Sequence, residues 1–212
     1  MRSTSCPLSW GTAELRFLAL GDSYTIGEGV DPSQRWPVLL ARRLDDGGVT
    51  VADPVIIART GWTVGELDSG IDRAAPSGPF ELVTVQIGVN DQYRGHPVSG
   101  FGEEFAAILD RAVGFAGSAP QRVIVLSIPD WGVTPFAKGQ DREQIAAEIA
   151  VFNRVIATEA WRRGTTFVDV TPISRRAADD PALLVDDGLH PSGEMYSLWV
   201  DLALPVAHRI VR

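Results

Sequence analysis

The sequence predicts an α/β domain built around a parallel β-sheet. Short apolar runs recur at residues 15–20, 55–58, 82–87, 123–128 and 166–170, and most of them are apolar on both faces. Strands that are covered on both sides of a parallel sheet have this composition. Segments with helical periodicity alternate with the runs, and this alternation indicates parallel strands joined by crossover helices.

Helices are predicted over residues 36–44, 64–74, 101–115, 141–161 and 193–209. In the third of these, Phe101, Phe105 and Ile108 recur on one face, as the core side of an amphipathic helix does. Ser192 stands in the N-cap position of the last helix. The helices therefore separate the apolar runs and complete the α/β pattern.

Length and composition indicate one globular unit. The chain has 212 residues, 45% hydrophobic and 22% charged, which is ordinary for a domain with a substantial core. We predict a loose N-terminal segment over residues 1–12 and a single domain over residues 13–212. Cys6 is the only cysteine, so the chain cannot form an internal disulfide.

The charge and the hydrophobic pattern restrict the partners. A net charge of −8 disfavours nucleic acid, because binding to phosphates needs a basic surface. Residues 1–11 hold no long apolar stretch of the kind found in a secretory signal, and the run at 15–20 is too short to span a bilayer. We therefore expect a cytoplasmic protein without integral membrane association, unless a signal has been trimmed. Its oligomeric state is left open.

Two segments hold the groups that make a serine hydroxyl nucleophilic. Ser23 follows directly after the first apolar run, in a segment framed by Gly21 and Gly27. Asp187 precedes His190 by one turn of chain near the C-terminus, so its carboxylate can reach Nδ1 and leave Nε2 free to accept the serine proton. Asp186 is an alternative carboxylate. The predicted catalytic residues are Ser23, Asp187 and His190.

Donors for an oxyanion follow the neighbouring strands. Acyl transfer places negative charge on the carbonyl oxygen, which N–H groups can stabilise. Asn90 follows the third apolar run and can offer its side-chain amide, while Gly61 follows the second run and can offer its backbone N–H. The backbone N–H of Ser23 is the remaining candidate. Because the carboxyl ends of parallel strands share one edge of the sheet, these segments should converge.

The order of these segments carries a family resemblance. The chain has Gly-Asp-Ser at residues 21–23, a glycine at position 61, Gly-x-Asn-Asp at 88–91 and Asp-x-x-His-Pro at 187–191. It resembles the SGNH hydrolases, also called GDSL-type esterases and lipases, although Tyr24 stands where the family name has leucine. The G-x-S-x-G elbow of the α/β-hydrolases is absent from the sequence.

The resemblance implies a fold and an activity. The fold is a flavodoxin-like, three-layer α/β/α sandwich with a central parallel sheet of about five strands. The activity is ester or thioester hydrolysis by a Ser-His-Asp triad, with the serine, the glycine and the asparagine as oxyanion donors. The substrate is a small-molecule, lipid or sugar ester.

Cofactor motifs are missing from the sequence, and aromatic residues accompany the predicted site. No H-E-x-x-H, Cys/His cluster or G-x-x-x-x-G-K occurs, so we expect neither a metal nor an organic cofactor. The aromatic residues of the strand-end loops are candidates for the walls of a substrate cleft, and they are Tyr24, Trp62, Tyr93, Trp131 and Phe136.

We expect a serine esterase for short- to medium-chain acyl esters. A lysophospholipase or thioesterase, or an acyltransferase, could use the same triad. A binding module without catalysis is a further alternative, which predicts that Ser23→Ala leaves function intact.

Overall fold

The structure is a computed structural model that describes residues 14–211. The predicted N-terminal segment at residues 1–12 and Cys6 lie outside these described residues.

The strands of the described residues form one parallel sheet. They are β1 (Phe17–Gly21), β2 (Val55–Ala58), β3 (Leu82–Gln86), β4 (Val123–Leu126) and β5 (Thr166–Val168). Their order in the sheet is β2-β1-β3-β4-β5, and every pair is parallel. This is the flavodoxin-like strand order, so the predicted sheet is confirmed.

The helices are α1 (Ser23–Ile26), α2 (Trp36–Asp46), α3 (Val64–Ala74), α4 (Val89–Tyr93), α5 (Val98–Phe115), α6 (Arg142–Arg162), α7 (Thr171–Ser174) and α8 (Gly193–Val211). Helix α8 packs on α2 and on strands β3 to β5, whereas α3, α5 and α6 pack on one another and on the other side of the sheet. The three-layer α/β/α sandwich is thereby confirmed. Short 3-10 turns at Trp131–Val133 and Pro135–Ala137 follow β4.

The core lies on both faces of the sheet. Every residue of β1, β3 and β4 is buried, as their largely apolar sequences predict, and the buried positions of β3 include the polar residues Thr84 and Gln86. Trp36 of α2 and Trp199 of α8 are fully buried on one side, and Phe105 of α5 is fully buried on the other. Strand β2 is the edge strand beside β1, and its Val55 is exposed.

The topology places a crevice at the carboxyl ends of β1 and β3. The chain moves from β1 to β2 on one side and then returns to β3 on the other, so the direction of winding reverses between β1 and β3. Ligands bind at such reversal points in open α/β sheets. The register sets Gly21, at the end of β1, beside Ala58 of β2 and Gln86 of β3.

Several element boundaries differ from the predicted ones. Leu15 forms only an isolated bridge with Val51, and β1 begins at Phe17. The predicted third helix starts earlier, at Val98, because Pro97 takes the N-cap position. The segments after β1 and β3, which were expected to be loops, turn at once into the short helices α1 and α4. Both of these helices carry residues of the predicted site.

Candidate active site

Ser23 is the first residue of α1, directly beyond the end of β1. The Asp22 side chain caps this helix, since its Oδ1 accepts a hydrogen bond from the Tyr24 N–H at 3.0 Å. Gly27 ends the helix with a φ of 70°, a left-handed conformation that glycine adopts without strain. A side chain at Gly21 would meet the Gln86 carbonyl oxygen at 2.5 Å, so only glycine permits this tight exit from the strand.

Asp22 directly precedes the serine and is 1% exposed. Its Oδ2 has no hydrogen-bond partner among the described residues. Burial, with a smaller contribution from the nearby Asp91 carboxyl, raises the pKa of Asp22 from 3.8 to about 8. Burial therefore favours the protonated form of the Asp22 carboxyl near neutral pH.

His190 and Asp187 form a hydrogen-bonded pair. His190 Nδ1 lies 2.6 Å from Asp187 Oδ2, and Asp187 Oδ1 accepts hydrogen bonds from the N–H groups of Leu189 at 2.8 Å and His190 at 2.9 Å. The structure thus brings Asp187 to the histidine, whereas Asp186 is exposed and forms no hydrogen bond within residues 14–211.

The electrostatics of this pair favour an ionised carboxylate. Burial acts to raise the pKa of Asp187, but the hydrogen bonds from the His190 ring and from the backbone of His190 and Leu189 outweigh it and lower the pKa. An ionised Asp187 keeps a proton on His190 Nδ1, so that Nε2 is the free ring nitrogen.

Asn90 and Gly61 lie on the segments that follow β3 and β2. Asn90 belongs to α4, which starts directly after Gly88, and its Nδ2 donates to the Trp62 carbonyl oxygen at 2.8 Å. An amide nitrogen carries two hydrogens, so one remains for a ligand. Gly61 adopts a φ of 84° in the turn before α3, a conformation that few other residues tolerate.

One cleft collects most of the predicted residues. It has a volume of about 190 Å³ and lies at the carboxyl ends of the strands. Its walls are formed by Ser23, Tyr24, Thr60, Gly61, Val89, Asn90, Tyr93, Trp131, Phe136, Leu189 and His190. Within residues 14–211 no hydrogen bond joins the Ser23 hydroxyl to the His190 ring, although both line this cleft. Such contacts often tighten only when substrate binds.

Four of the five predicted aromatic residues line the cleft. Tyr93, Trp131 and Phe136 form one wall of the cleft, with ring centroids 5.4 to 6.1 Å apart. Tyr24 is 3% exposed and places its ring 5.5 Å from that of His190.

Trp62 does not line the cleft. Its ring instead covers Gly70 of α3, where any added side chain would clash with the indole. Trp62 therefore anchors its loop to the helix.

The sequence profile of the GDSL-like Lipase/Acylhydrolase family matches residues 19–198. This range includes the serine segment, Gly61, Asn90 and the Asp-His pair. The chain belongs to this family. It is accordingly a carboxylic ester hydrolase of the GDSL type, as the resemblance implied. Comparison with curated proteins gives no match.

Solved structures share the fold of this GDSL-type hydrolase. TesA has a TM-score of 0.72 and 23% identity, over 92% of this chain and 99% of its own. Axe2, an acetylxylan esterase from Geobacillus stearothermophilus, has a TM-score of 0.70 and 18% identity, over 95% and 98%. The psychrotrophic esterase EstA from Pseudoalteromonas sp. has a TM-score of 0.66 and 19% identity, over 92% and 98%.

Some residues of the GDSL site are not indicated by any motif or spacing in the sequence. Thr60, Val89 and Leu189 complete the cleft walls. Gln92 fixes the Trp131 ring, because its Oε1 accepts from Trp131 Nε1 at 2.8 Å while its Nε2 donates to Glu148 at the same distance. These contacts join distant parts of the chain, and spacing within one segment does not indicate them.

Two negative findings concern residues 14–211 alone. No group of three or more His, Cys, Asp or Glu side chains is arranged to hold a metal ion there. No helix in the same range has the length and apolar character needed to cross a bilayer.

Proposed function

We propose that the protein is a serine esterase that hydrolyses short- to medium-chain acyl esters through an acyl-enzyme on Ser23. One observation carries the proposal. Ser23, Gly61, Asn90 and His190 line a single cleft, and the His190 ring is hydrogen-bonded to Asp187. A nucleophile, an oriented base and oxyanion donors are the groups that acyl transfer requires.

Acylation begins when His190 Nε2 takes the proton of the Ser23 hydroxyl. Ser23 Oγ forms a bond to the acyl carbon, and the carbonyl electron pair moves onto its oxygen. The N–H groups of Ser23 and Gly61 and the free Asn90 amide hydrogen stabilise that oxyanion. When the carbonyl re-forms, the bond to the alcohol oxygen breaks, and His190 gives its proton to the leaving alcohol.

Deacylation repeats these steps with water. His190 Nε2 takes a proton from a water molecule, whose oxygen attacks the acyl carbon. The tetrahedral species then collapses, the bond to Ser23 Oγ breaks, and the proton returns from His190 to the serine. The products are the free acid and the regenerated enzyme, and Asp187 remains ionised throughout.

The size and lining of the cleft support a short acyl group. Its volume of about 190 Å³ is below the roughly 300–1,000 Å³ of sites for drug-sized ligands. Tyr93, Trp131 and Phe136 close one side with apolar surface. A short acyl chain fits within this open cleft, whereas a long chain has to extend past the aromatic wall.

A p-nitrophenyl ester series from acetate to palmitate tests the proposal. We expect turnover to be highest for the acetate or butyrate ester, and Ser23→Ala to lower it by at least about a thousandfold. Ser99→Ala is the matched control, because Ser99 is exposed and its hydroxyl forms no hydrogen bond within the described residues. This variant should retain wild-type turnover.

Other outcomes point to the alternatives. Highest turnover on palmitate would indicate a lysophospholipase, and transfer of the acyl group to an added alcohol in preference to water would indicate an acyltransferase. Unchanged function in Ser23→Ala would rule out an acyl-enzyme on Ser23 and would leave the binding module without catalysis as the remaining alternative.

A further inference from the structure

The loop that carries Gly61 contacts α4 through one arginine. Arg94 is the C-cap residue of α4, and its backbone N–H donates to the Asn90 carbonyl oxygen at 3.0 Å. Its side chain then crosses to the neighbouring loop, where Nη2 donates to the Gly61 carbonyl oxygen at 2.6 Å. One residue therefore touches the backbone of both Asn90 and Gly61.

A second contact fixes the direction of the guanidinium. Arg94 Nη1 lies 3.2 Å from Glu66 Oε2 in the first turn of α3. The same Glu66 oxygen accepts the Thr63 N–H at 2.9 Å, as part of the capping box of that helix. Since a guanidinium is planar and rigid, bonds from both of its ends define its position. The loop, α3 and α4 are thereby joined at Arg94.

Gly61 needs an external restraint. It has no side chain, and its φ of 84° is one of several conformations open to glycine. Among the described residues, Arg94 is the only hydrogen-bond partner of its carbonyl oxygen. The Trp62 N–H donates to the Arg59 carbonyl oxygen at 3.2 Å and closes this turn, so the peptide group that follows Gly61 is held at its N–H end by the turn and at its carbonyl end by Arg94. Loss of the Arg94 bond leaves only the longer of these two restraints, and the Gly61 N–H then has more freedom of direction.

We propose that Arg94 is a positioning residue for the oxyanion hole, which holds the Gly61 N–H in the direction needed to meet the oxyanion. The inference rests on the proposed function, in which Gly61 and Asn90 stabilise the oxyanion. Arg94 does not line the cleft and acts through Gly61. Oxyanion donors contribute through preorganisation, and small misplacements of catalytic groups lower rates strongly.

Arg94→Ala tests the proposal through the separation of kcat from KM. The acyl-enzyme forms through an oxyanion that is absent from the bound ester, so a misdirected donor lowers kcat and leaves KM nearly unchanged. We expect kcat on p-nitrophenyl butyrate to fall about 10–100-fold, which is less than the full loss of a donor. Arg94→Lys should also be impaired, because an ammonium cannot bond Gly61 and Glu66 as a fork.

Arg59→Ala is the matched control. Arg59 lies just before the same loop and is exposed, and its side chain forms no hydrogen bond within residues 14–211. Its removal takes away the same charge without breaking a contact to Gly61. This variant should keep kcat within about twofold of wild type, since exposed charges contribute little.

Chemical rescue separates positioning from a general structural role. Millimolar guanidinium chloride can occupy the space left in Arg94→Ala and restore the bond to the Gly61 carbonyl. We expect it to raise kcat of this variant several-fold and to leave Arg59→Ala and wild type unchanged. The unfolding midpoint of Arg94→Ala should stay close to that of wild type, because the side chain is 44% exposed.

The results that would overturn the positioning role of Arg94 differ from those that would overturn the proposed esterase function. A kcat of Arg94→Ala within twofold of wild type, or a loss accompanied by a lower unfolding midpoint and no rescue, rejects the positioning role. Neither of these two outcomes affects the Ser23-dependent turnover of the wild-type enzyme. Absence of that turnover rejects the proposed function itself.

Discussion

The buried Asp22 carboxyl predicts an unusual pH dependence of stability. Its pKa is about 8 in the fold, because of burial, and 3.8 when it is unperturbed. The folded chain therefore binds a proton that the unfolded chain has released. Stability is fully present below about pH 4 and is lost as the pH rises towards about 8, since the unfolded state gains from ionisation over that range.

Asp22→Asn removes this dependence. Asparagine is similar in shape, its side-chain oxygen can still accept from the Tyr24 N–H, and it does not titrate. At 1.36 kcal/mol per pKa unit, the penalty carried by the wild type is about 4 kcal/mol at pH 7. Relaxation around the ionised group reduces this value, so we expect the variant to gain about 2–4 kcal/mol relative to wild type between pH 4 and pH 7.

Urea unfolding of both proteins, followed by tryptophan fluorescence from pH 4 to about pH 9, measures this difference. Because the other titrating groups are common to both proteins, they cancel when the free energies of unfolding are subtracted. A difference that stays constant across the range would refute the argument, since it would mean that Asp22 ionises as readily in the fold as in the unfolded chain.

The remaining predictions concern the Asp187–His190 pair, the aromatic wall of the cleft and the packing of Trp62 on Gly70. Asp187→Asn should lower kcat roughly 10²–10⁴-fold with little change in KM, because His190 loses the partner that fixes its tautomer; steady-state kinetics that instead show an unchanged kcat contradict this role. Phe136→Ala should raise the ratio of hexanoate to acetate ester turnover by at least about fivefold, because it removes one side of the aromatic wall; an unchanged ratio would place the acyl chain elsewhere. Gly70→Ala should lower the free energy of unfolding by about 1–3 kcal/mol, because the new methyl group clashes with the Trp62 ring, and a denaturant midpoint at or above that of wild type would contradict this packing.

The sheet could be predicted because its pattern is local. Strands β1, β3 and β4 are buried on both sides, and their largely apolar sequences indicate this directly. The short helices α1 and α4 could not be predicted, since four or five residues are too few for a helical period. They form because Asp22 caps one helix and Gly88 permits the sharp entry to the other.

The site, like the fold, has some features that the sequence predicts and others that it does not. The spacing of Asp187 and His190 indicated a local pair, which the structure contains. The position of Trp62 in a strand-end loop predicts a place in the cleft wall, yet its ring packs over Gly70 of α3, where the absence of a side chain leaves room for it. Arg94 reaches Gly61 across 33 positions of sequence, a contact that depends on how two strand-end segments approach each other. Such contacts arise from the tertiary fold and produce no periodic pattern in the sequence.

The most direct test of the acyl-enzyme is the site of covalent labelling. A fluorophosphonate reacts with an activated serine, so the labelled protein is digested with trypsin and its peptides are sequenced by mass spectrometry. Cleavage at Arg16 and Arg35 releases one peptide that contains both Ser23 and Ser33, and fragmentation separates the two. We predict a single adduct on Ser23 that is absent from Ser23→Ala and formed far more slowly in His190→Ala. An adduct on Ser33 or on a residue outside the cleft, or no adduct at all, would contradict the proposed mechanism.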